Sequence, residues 1–229
     1  CFNIICWVLI KIASFGCGVD SVAGLLLSKE QGIEYDEIIF ADTNEAERPE
    51  TYAYLEYFEK KSGFKITKVV SHLGSIYDWH FRKNSQPSKY NHWCSSKWKI
   101  FPIRRYLRKK YGKKERFEMN IFIDYSEFHR MREPDVKYID NKYPLVEQKL
   151  DRESLKQYII SKGYDLPIKS GCYFCPFTTK KGWIDLRNKH KDLFQKSIQM
   201  EKNSTTTTKL VMLKGKESQT LMECSCFNG

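Results

Sequence analysis

The stretch Ser14-Phe-Gly-Cys-Gly-Val-Asp-Ser21 decides how the rest of the chain is read. Before it runs the apolar segment Val8–Phe15, which predicts a buried first strand. After it comes Ser21–Gln31, where Val22, Leu25 and Leu26 share one helical face. A strand that turns through glycines into a helix gathers unsatisfied N–H groups at the positive end of the helix dipole, which is an anion site. Gly16 and Gly18 let the backbone approach a phosphate without a Cβ in the way. Ser21 adds a hydroxyl at the helix start, and Asp20 either orients the loop or binds Mg²⁺. The string lacks the Lys of a Walker loop and the third Gly of a dinucleotide fingerprint.

Working outward, strand and helix patterns alternate. Glu37–Asp42 predicts a second strand. Pro49–Ser62 predicts a helix with Pro49 in its first turn and Tyr52, Leu55, Tyr57 and Phe58 as anchors, and Lys65–Ser71 predicts a third strand. Residues 72–96 read as a long polar and aromatic loop, Lys97–Tyr111 as a basic amphipathic helix and Met119–Ile123 as another strand. Asp151–Lys162 reads as a helix capped by Asp151 and stopped at Gly163, and Trp183–Lys202 as a helix in one or two pieces. The order implies an α/β fold: a doubly wound, mostly parallel sheet followed by a helical, cysteine-bearing C-terminal region. The expected division is a nucleotide-binding domain over 1–145 and a helical region over 146–229.

The 229 residues include 39 Lys and Arg against 28 Asp and Glu, a net charge of +11. Nine of the cations crowd Lys97–Lys114 and a second group runs from Lys180 to Lys191. This is either a solvated helix face or a surface for a phosphate-rich partner: nucleotide, tRNA or DNA. Eight cysteines fall partly in Cys-x-x-Cys and Cys-x-Cys pairs, a pattern of metal or redox work in a reducing compartment rather than of a secreted disulfide framework. The expected location is therefore cytoplasmic, with no membrane partner, since no stretch approaches the ~20 apolar residues of a membrane helix. Cys1–Ile10 lacks the basic segment and the cleavage site of a signal peptide. Cys1 and Cys6 read as buried residues without chemistry.

Cys172-Tyr-Phe-Cys175-Pro176 offers two thiolates on one turn, which can grip a single metal or cluster. Closing a four-coordinate site needs two more ligands. Cys94 and one tail cysteine complete the set, Cys226 being preferred to Cys224. All-sulfur ligation suits both a [4Fe–4S] cluster and Zn²⁺, and the remaining alternative is a dithiol or plain buried cysteines. Among the histidines, His92 is singled out by its place two residues from Cys94. Asp124-Tyr-Ser-Glu127-Phe-His-Arg130, after the fourth strand, can face a nucleotide, with Arg130 on phosphate or sulfate and Glu127 orienting it. Alternatively, it is an N-capped surface helix.

Gly16-Cys-Gly-Val-Asp-Ser21 resembles the phosphate loop of the PP-loop ATP pyrophosphatases, above all the phosphoadenosine-phosphosulfate (PAPS) reductase-like branch. That resemblance extends to Phe40-Ala-Asp-Thr-Asn44, to Pro49-Glu-Thr51, to Tyr143-Pro-Leu and to Lys169-Ser-Gly-Cys-Tyr-Phe-Cys-Pro-Phe177. It implies that Ser14, Phe15, Gly16, Cys17, Gly18, Val19, Asp20 and Ser21 line the nucleotide phosphates. It implies too that Asp42 and Thr43 flank the nucleoside, with Asp20, Ser21 and Arg130 as catalytic residues and Glu127 beside them. Cys17 departs from the family's glycine: its thiol narrows the pocket, makes the loop redox-sensitive, or is a tolerated small residue. Since the branch includes iron–sulfur members, the resemblance favours [4Fe–4S] over zinc at Cys94, Cys172, Cys175 and Cys226. The implied function is ATP- and Mg²⁺-dependent adenylation with sulfur transfer to tRNA or DNA, helped by a sulfur-donor protein and compatible with a homodimer. The alternatives are a reductase of PAPS or adenosine phosphosulfate (APS), and a non-catalytic nucleotide- or nucleic-acid-binding module with structural zinc.

Overall fold

The computed structural model describes residues 9–90, 93–205 and Leu221. Its elements are β1 (Ile10–Ser14), α1 (Val19–Glu30), β2 (Glu37–Asp42), α2 (Pro49–Ser62), β3 (Ile66–Val70), α3 (Ile76–Arg82), α4 (Trp93–Ser95), a π-helical stretch Ser96–Ile100, α5 (Phe101–Tyr111), β4 (Phe117–Ile121), a 3-10 helix Tyr125–Arg130, β5 (Ile139–Lys142), α6 (Pro144–Glu147), α7 (Arg152–Ser161), α8 (Lys180–Lys189) and α9 (Lys191–Asn203). They group into two units. One holds the described residues up to Ala41, Pro49–Val69 and Ile103–Ser170. The other holds Asp42–Arg48, Val70–Pro102 and the described residues from Gly171 onward.

In the first unit the strands run in the order β3-β2-β1-β4-β5. β1 pairs in parallel with both β2 and β4, and β4 with β5. The chain builds outward from β1 through β2 and β3, then returns to the other side of β1 with β4. That reversal makes a switch point outside the carboxyl end of β1, where ligands of such sheets bind. Adjacent residues of β1 serve opposite faces, as the period of two demands. Ala13 packs with Val22, Leu25, Leu55, Phe58 and Leu155 under α1, α2 and α7. Ile12 packs with Ile39, Ile103, Leu107 and Met119 under α5. The doubly wound α/β expectation is met.

Local chemistry explains most element ends. Asp151 accepts from Ser154 N at 2.8 Å and caps α7, while Gly163, at φ 75°, lets the chain leave it. Buried Glu37 of β2 is satisfied by Thr67 Oγ1 at 2.8 Å, Tyr111 OH at 3.2 Å, Tyr106 OH at 3.3 Å and the Lys110 ammonium, which ties α5 to the sheet.

Several sequence expectations need correction. Residues 72–96 hold helix α3, capped by Ser75, whose hydroxyl accepts from Asp78 N at 3.3 Å, and the short α4. β5 was not foreseen, because Ile139 is the only strongly apolar residue of Ile-Asp-Asn-Lys. The last long helix begins at Lys180 rather than Trp183, capped by Thr179, and is in two pieces, α8 and α9, as the sequence allowed. The second unit packs Ile76, Trp98, Tyr173, Phe174, Trp183 and Phe194 around α3, α8 and α9. Among the described residues no helix is long and apolar enough to cross a membrane.

Candidate functional site

The phosphate loop lies in the first unit and leaves β1 at Ser14. Phe15 turns into the core and stacks on Phe58, ring centroids 5.4 Å apart. Cys17 sits at φ 55°, in the left-handed region that favours glycine. Its side chain is buried in the same core and its thiol donates to Thr51 O at 3.4 Å. The glycine of related loops is thus explained by backbone conformation, and any contact of Cys17 with an anion falls to its main chain. Gly18 is the N-cap of α1. Its N–H donates to Ser21 Oγ at 3.1 Å, and that hydroxyl donates back to Gly18 O at 3.1 Å. Ser21 therefore braces the loop. A Cβ on Gly18 would stand 3.6 Å from Ser170 Oγ, which brings a second hydroxyl to the loop. Val19 packs into the core, so the loop presents backbone and Asp20.

Asp20 has carboxylate company. One oxygen each from Asp20, Asp124 and Glu127 lie within 4.8 Å of one another. Asp124 follows β4 and is fully buried. Its Oδ1 accepts from Ser126 N at 2.8 Å, starting the 3-10 helix that carries Glu127. Asp20 Oδ1 and Asp124 Oδ2 are buried oxygens without a hydrogen bond. Arg152, at the start of α7, reaches Asp124 at 3.5 Å and Asp20 at 3.7 Å. Glu127 is ion-paired with Arg130. Burial pushes the Asp20 carboxyl above its ordinary range. Arg152 pulls it back, and Asp124 and Glu127 add to the rise. Three carboxylates against Arg152 and Arg130, with two buried oxygens that accept no hydrogen bond, form a donor set suited to a hard divalent cation.

The other predicted residues lie in the second unit. Asp42 ends β2 and accepts from Asn44 N at 2.8 Å. Thr43 is buried, its hydroxyl 4.0 Å from Cys172 Sγ. The Cys-x-x-Cys is a tight turn in which Cys175 N donates to Cys172 O at 3.0 Å, anchored by Tyr173 N donating to Ala46 O at 2.9 Å. None of Cys94, Cys172 and Cys175 is in a disulfide. Burial pushes the Cys94 thiol up to about 11, with Cys175 adding to the rise. Burial, then Glu47, pushes Cys172 well up, while Lys99 opposes them. Cys94 and Cys172 pack against the same aromatic core, and each feels Cys175. Trp79, Trp93 and Trp98 line that core near Cys94, with the Lys97 ammonium 4.6 Å above the Trp93 ring. Cys226, Cys224 and His92 lie outside the described residues.

Four site residues were missed. Asp124 was legible as an acid at a strand end, and Ser170 as the residue before Gly171-Cys172. Arg152 and His80 carry no sequence signal. His80 is fully buried on α3, with Nε2 3.7 Å from Cys94 Sγ and Nδ1 3.0 Å from Ser85 Oγ. Burial, and secondly Lys97, lower its pKa to about 4.

With this geometry in view, the comparisons are direct. The family profile described as phosphoadenosine phosphosulfate reductase domain matches residues 11–117, from β1 to the start of β4. That stretch is similar to PAPS reductase domains. A crystal structure of phosphoadenylyl-sulfate reductase from Candida auris, in complex with phosphate, superposes with a TM-score of 0.51 at 12% identity, over 69% of this chain and 75% of that one. The PAPS reductase fold therefore holds well beyond the matched stretch. The U34-tRNA thiolase NcsA of Methanococcus maripaludis, solved with its [4Fe–4S] cluster, aligns at a TM-score of 0.41 and 15% identity, over 82% of this chain and 70% of that one. "Uncharacterized protein MJ0973" of Methanocaldococcus jannaschii is 28% identical over 200 residues, which is 82% of this chain. The chain spans about half the length of that relative, 47%.

Proposed function

We propose that the protein is an ATP- and Mg²⁺-dependent enzyme that adenylates a nucleic-acid acceptor, tRNA or DNA, and exchanges the activated oxygen for sulfur. The observation that carries this reading is the Asp20, Asp124 and Glu127 cluster beside the phosphate loop. A reductase that transfers the sulfonate sulfur of PAPS to a thiol has no need of a divalent cation. Attack on the α-phosphate of ATP does, because charge accumulates on the phosphate oxygens as pyrophosphate departs. Asp20 Oδ1 and Asp124 Oδ2, both lacking a hydrogen bond, fit such a cation.

In this reading the N–H groups at the start of α1 hold phosphate oxygens, and Ser21 keeps the loop in shape for them. Arg152 and Arg130 stay ion-paired with the carboxylates until nucleotide arrives, then turn to phosphate. An oxygen of the acceptor attacks the α-phosphorus, the bond to the β-phosphate oxygen breaks, and pyrophosphate leaves. Hydrosulfide sulfur then displaces AMP at the acceptor carbon. Cys94, Cys172 and Cys175, three soft donors beside an aromatic core, fit a [4Fe–4S] cluster, with Cys226 as the expected fourth ligand. When bound, the cluster would supply the site of sulfur handling.

The test is pyrophosphate release from ATP by anaerobically purified protein, with and without Mg²⁺ and with tRNA or single-stranded DNA added. Release that requires Mg²⁺ and is lost in Asp124→Asn is expected. The family of residues 11–117 favours a second reading, reduction of PAPS or APS. Thioredoxin-dependent sulfite release from either nucleotide, without pyrophosphate from ATP, would establish it and defeat the first. Iron and sulfide analysis of the wild type and Cys172→Ala, with absorbance near 400 nm, separates the cluster from zinc.

A further inference from the structure

The 3-10 helix Tyr125–Arg130 is read above only for its carboxylate, yet it has a second face. The segment kinks at Glu127 (φ −101°, ψ 16°). Glu127 and Arg130 are ion-paired, with Glu127 in the carboxylate cluster. Tyr125 and Phe128 form a second pair. Their rings stack with centroids 6.1 Å apart and planes 29° from parallel, and both face solvent, 43% and 57% exposed. Met131, which follows as an extended C-cap, is 40% exposed. Single exposed apolar residues are ordinary, but a run of them beside a reactive centre marks a binding surface.

The residues between the rings indicate the kind of partner. His129, Arg130 and Arg132 are exposed and alternate with Phe128 and Met131. Rings interleaved with cations are what single-stranded nucleic acid requires, since each base offers a π-face for stacking and each phosphate a charge to neutralise. The chain's net charge of +11 favours the same partner. The placement suits the chemistry as well: Phe128 is the residue after Glu127, so this ridge adjoins the carboxylate cluster.

We propose that Tyr125, Phe128 and Met131 form a stacking platform for an unpaired base of the nucleic-acid acceptor, with Arg132 and His129 on the neighbouring phosphates. This rests on the nucleic-acid reading above.

The test uses the full chain and short single-stranded RNA and DNA oligonucleotides carrying 2-aminopurine, whose fluorescence falls on stacking. Wild type should bind and quench. Phe128→Ala and Tyr125→Ala should each weaken binding about tenfold and reduce the quench, while Phe128→Trp retains both. Arg132→Gln should instead lower the salt dependence of binding by about one unit of slope and leave the quench of the bound state intact. Unfolding curves confirm that these exposed variants fold. Equal affinity and quench in Phe128→Ala would overturn the platform while leaving the nucleic-acid reading in place. Failure of wild type to bind either oligonucleotide would overturn both together. A Phe128→Ala loss confined to ATP affinity would reassign the ridge to the adenine of the nucleotide. A change in its molecular mass in solution would reassign it to a second copy of the chain.

Discussion

Gly24, in the middle of α1, is where that helix touches the segment that delivers Asp124. A Cβ added there would lie 2.1 Å from Phe122 Cδ1 and 2.6 Å from Cε1 and Cγ. Carbon atoms pack at about 3.5–4.0 Å, so the overlap is well over an ångström and falls on a buried ring. Overpacking of this kind costs about 1–3 kcal/mol, and this case belongs at the upper end. Replacing a mid-helix glycine by alanine returns about 1 kcal/mol of backbone entropy. The net expectation for Gly24→Ala is a loss of about 2 kcal/mol, or a fall in melting temperature of about 4–8 °C for a chain of this size. Since Phe122 lies two residues before Asp124, relief of the clash moves Asp124 away from Asp20, and Mg²⁺ affinity should fall as well. Thermal unfolding with and without Mg²⁺ is the assay, and Gly24→Ala with Phe122→Leu should recover much of both losses. A Gly24→Ala protein that melts at or above the wild-type temperature would refute the reasoning, because the helix would then lie farther from β4 than described.

Other substitutions probe other contacts. Glu37→Ala should lower stability by about 1–3 kcal/mol in urea unfolding, because Lys110, Tyr106, Tyr111 and Thr67 all lose their shared acceptor. His80 is held neutral down to about pH 4 in the folded, metal-free protein, whereas the unfolded chain takes up its proton near 6.5. Stability should therefore decline on acidification between those values, by up to about 1.4 kcal/mol per pH unit, and His80→Gln should flatten that segment of the profile. In the metal-free protein, Glu47→Gln should speed alkylation of Cys172 at a fixed alkaline pH and Lys99→Met should slow it, since Glu47 raises and Lys99 lowers its thiol pKa. Equal rates in the two variants would contradict that electrostatic picture.

The legible parts of the fold were those with strong short-range signals. Ile12 and Ala13 before a glycine loop, and Leu25 and Leu26 at helical spacing after it, specify β1 and α1 without outside help. Asp151 and Gly163 bracket α7 in the same way. β5 was hidden because its place depends on hydrogen bonds to β4 rather than on apolar side chains. α3 was hidden because Ile-Tyr-Asp-Trp-His-Phe-Arg mixes aromatic and polar residues without a clean period, and its burial comes from α9 and the aromatic core.

The site divides along the same line. Asp20 and the Cys172/Cys175 pair stood out because the chemistry lies in adjacent residues. Arg152 and His80 act through helices that approach from far along the chain, and only the docking of α7 and α3 brings them to Asp124 and Cys94. Cys17 was an anomaly in the sequence and is a backbone residue in the structure, because its thiol was absorbed by the core.

That last residue has a bearing on how the loop works. A non-glycine residue held left-handed costs of order 1 kcal/mol, and it persists only when surrounding contacts over-determine it. Here the Cys17 side chain is locked between the core and the first turn of α2, through Thr51 O. The curve of the loop is thus imposed from beneath, by the hydrophobic interior, before any anion arrives. An anion bound there would meet N–H groups already aimed, so little of its binding energy would go into ordering the chain.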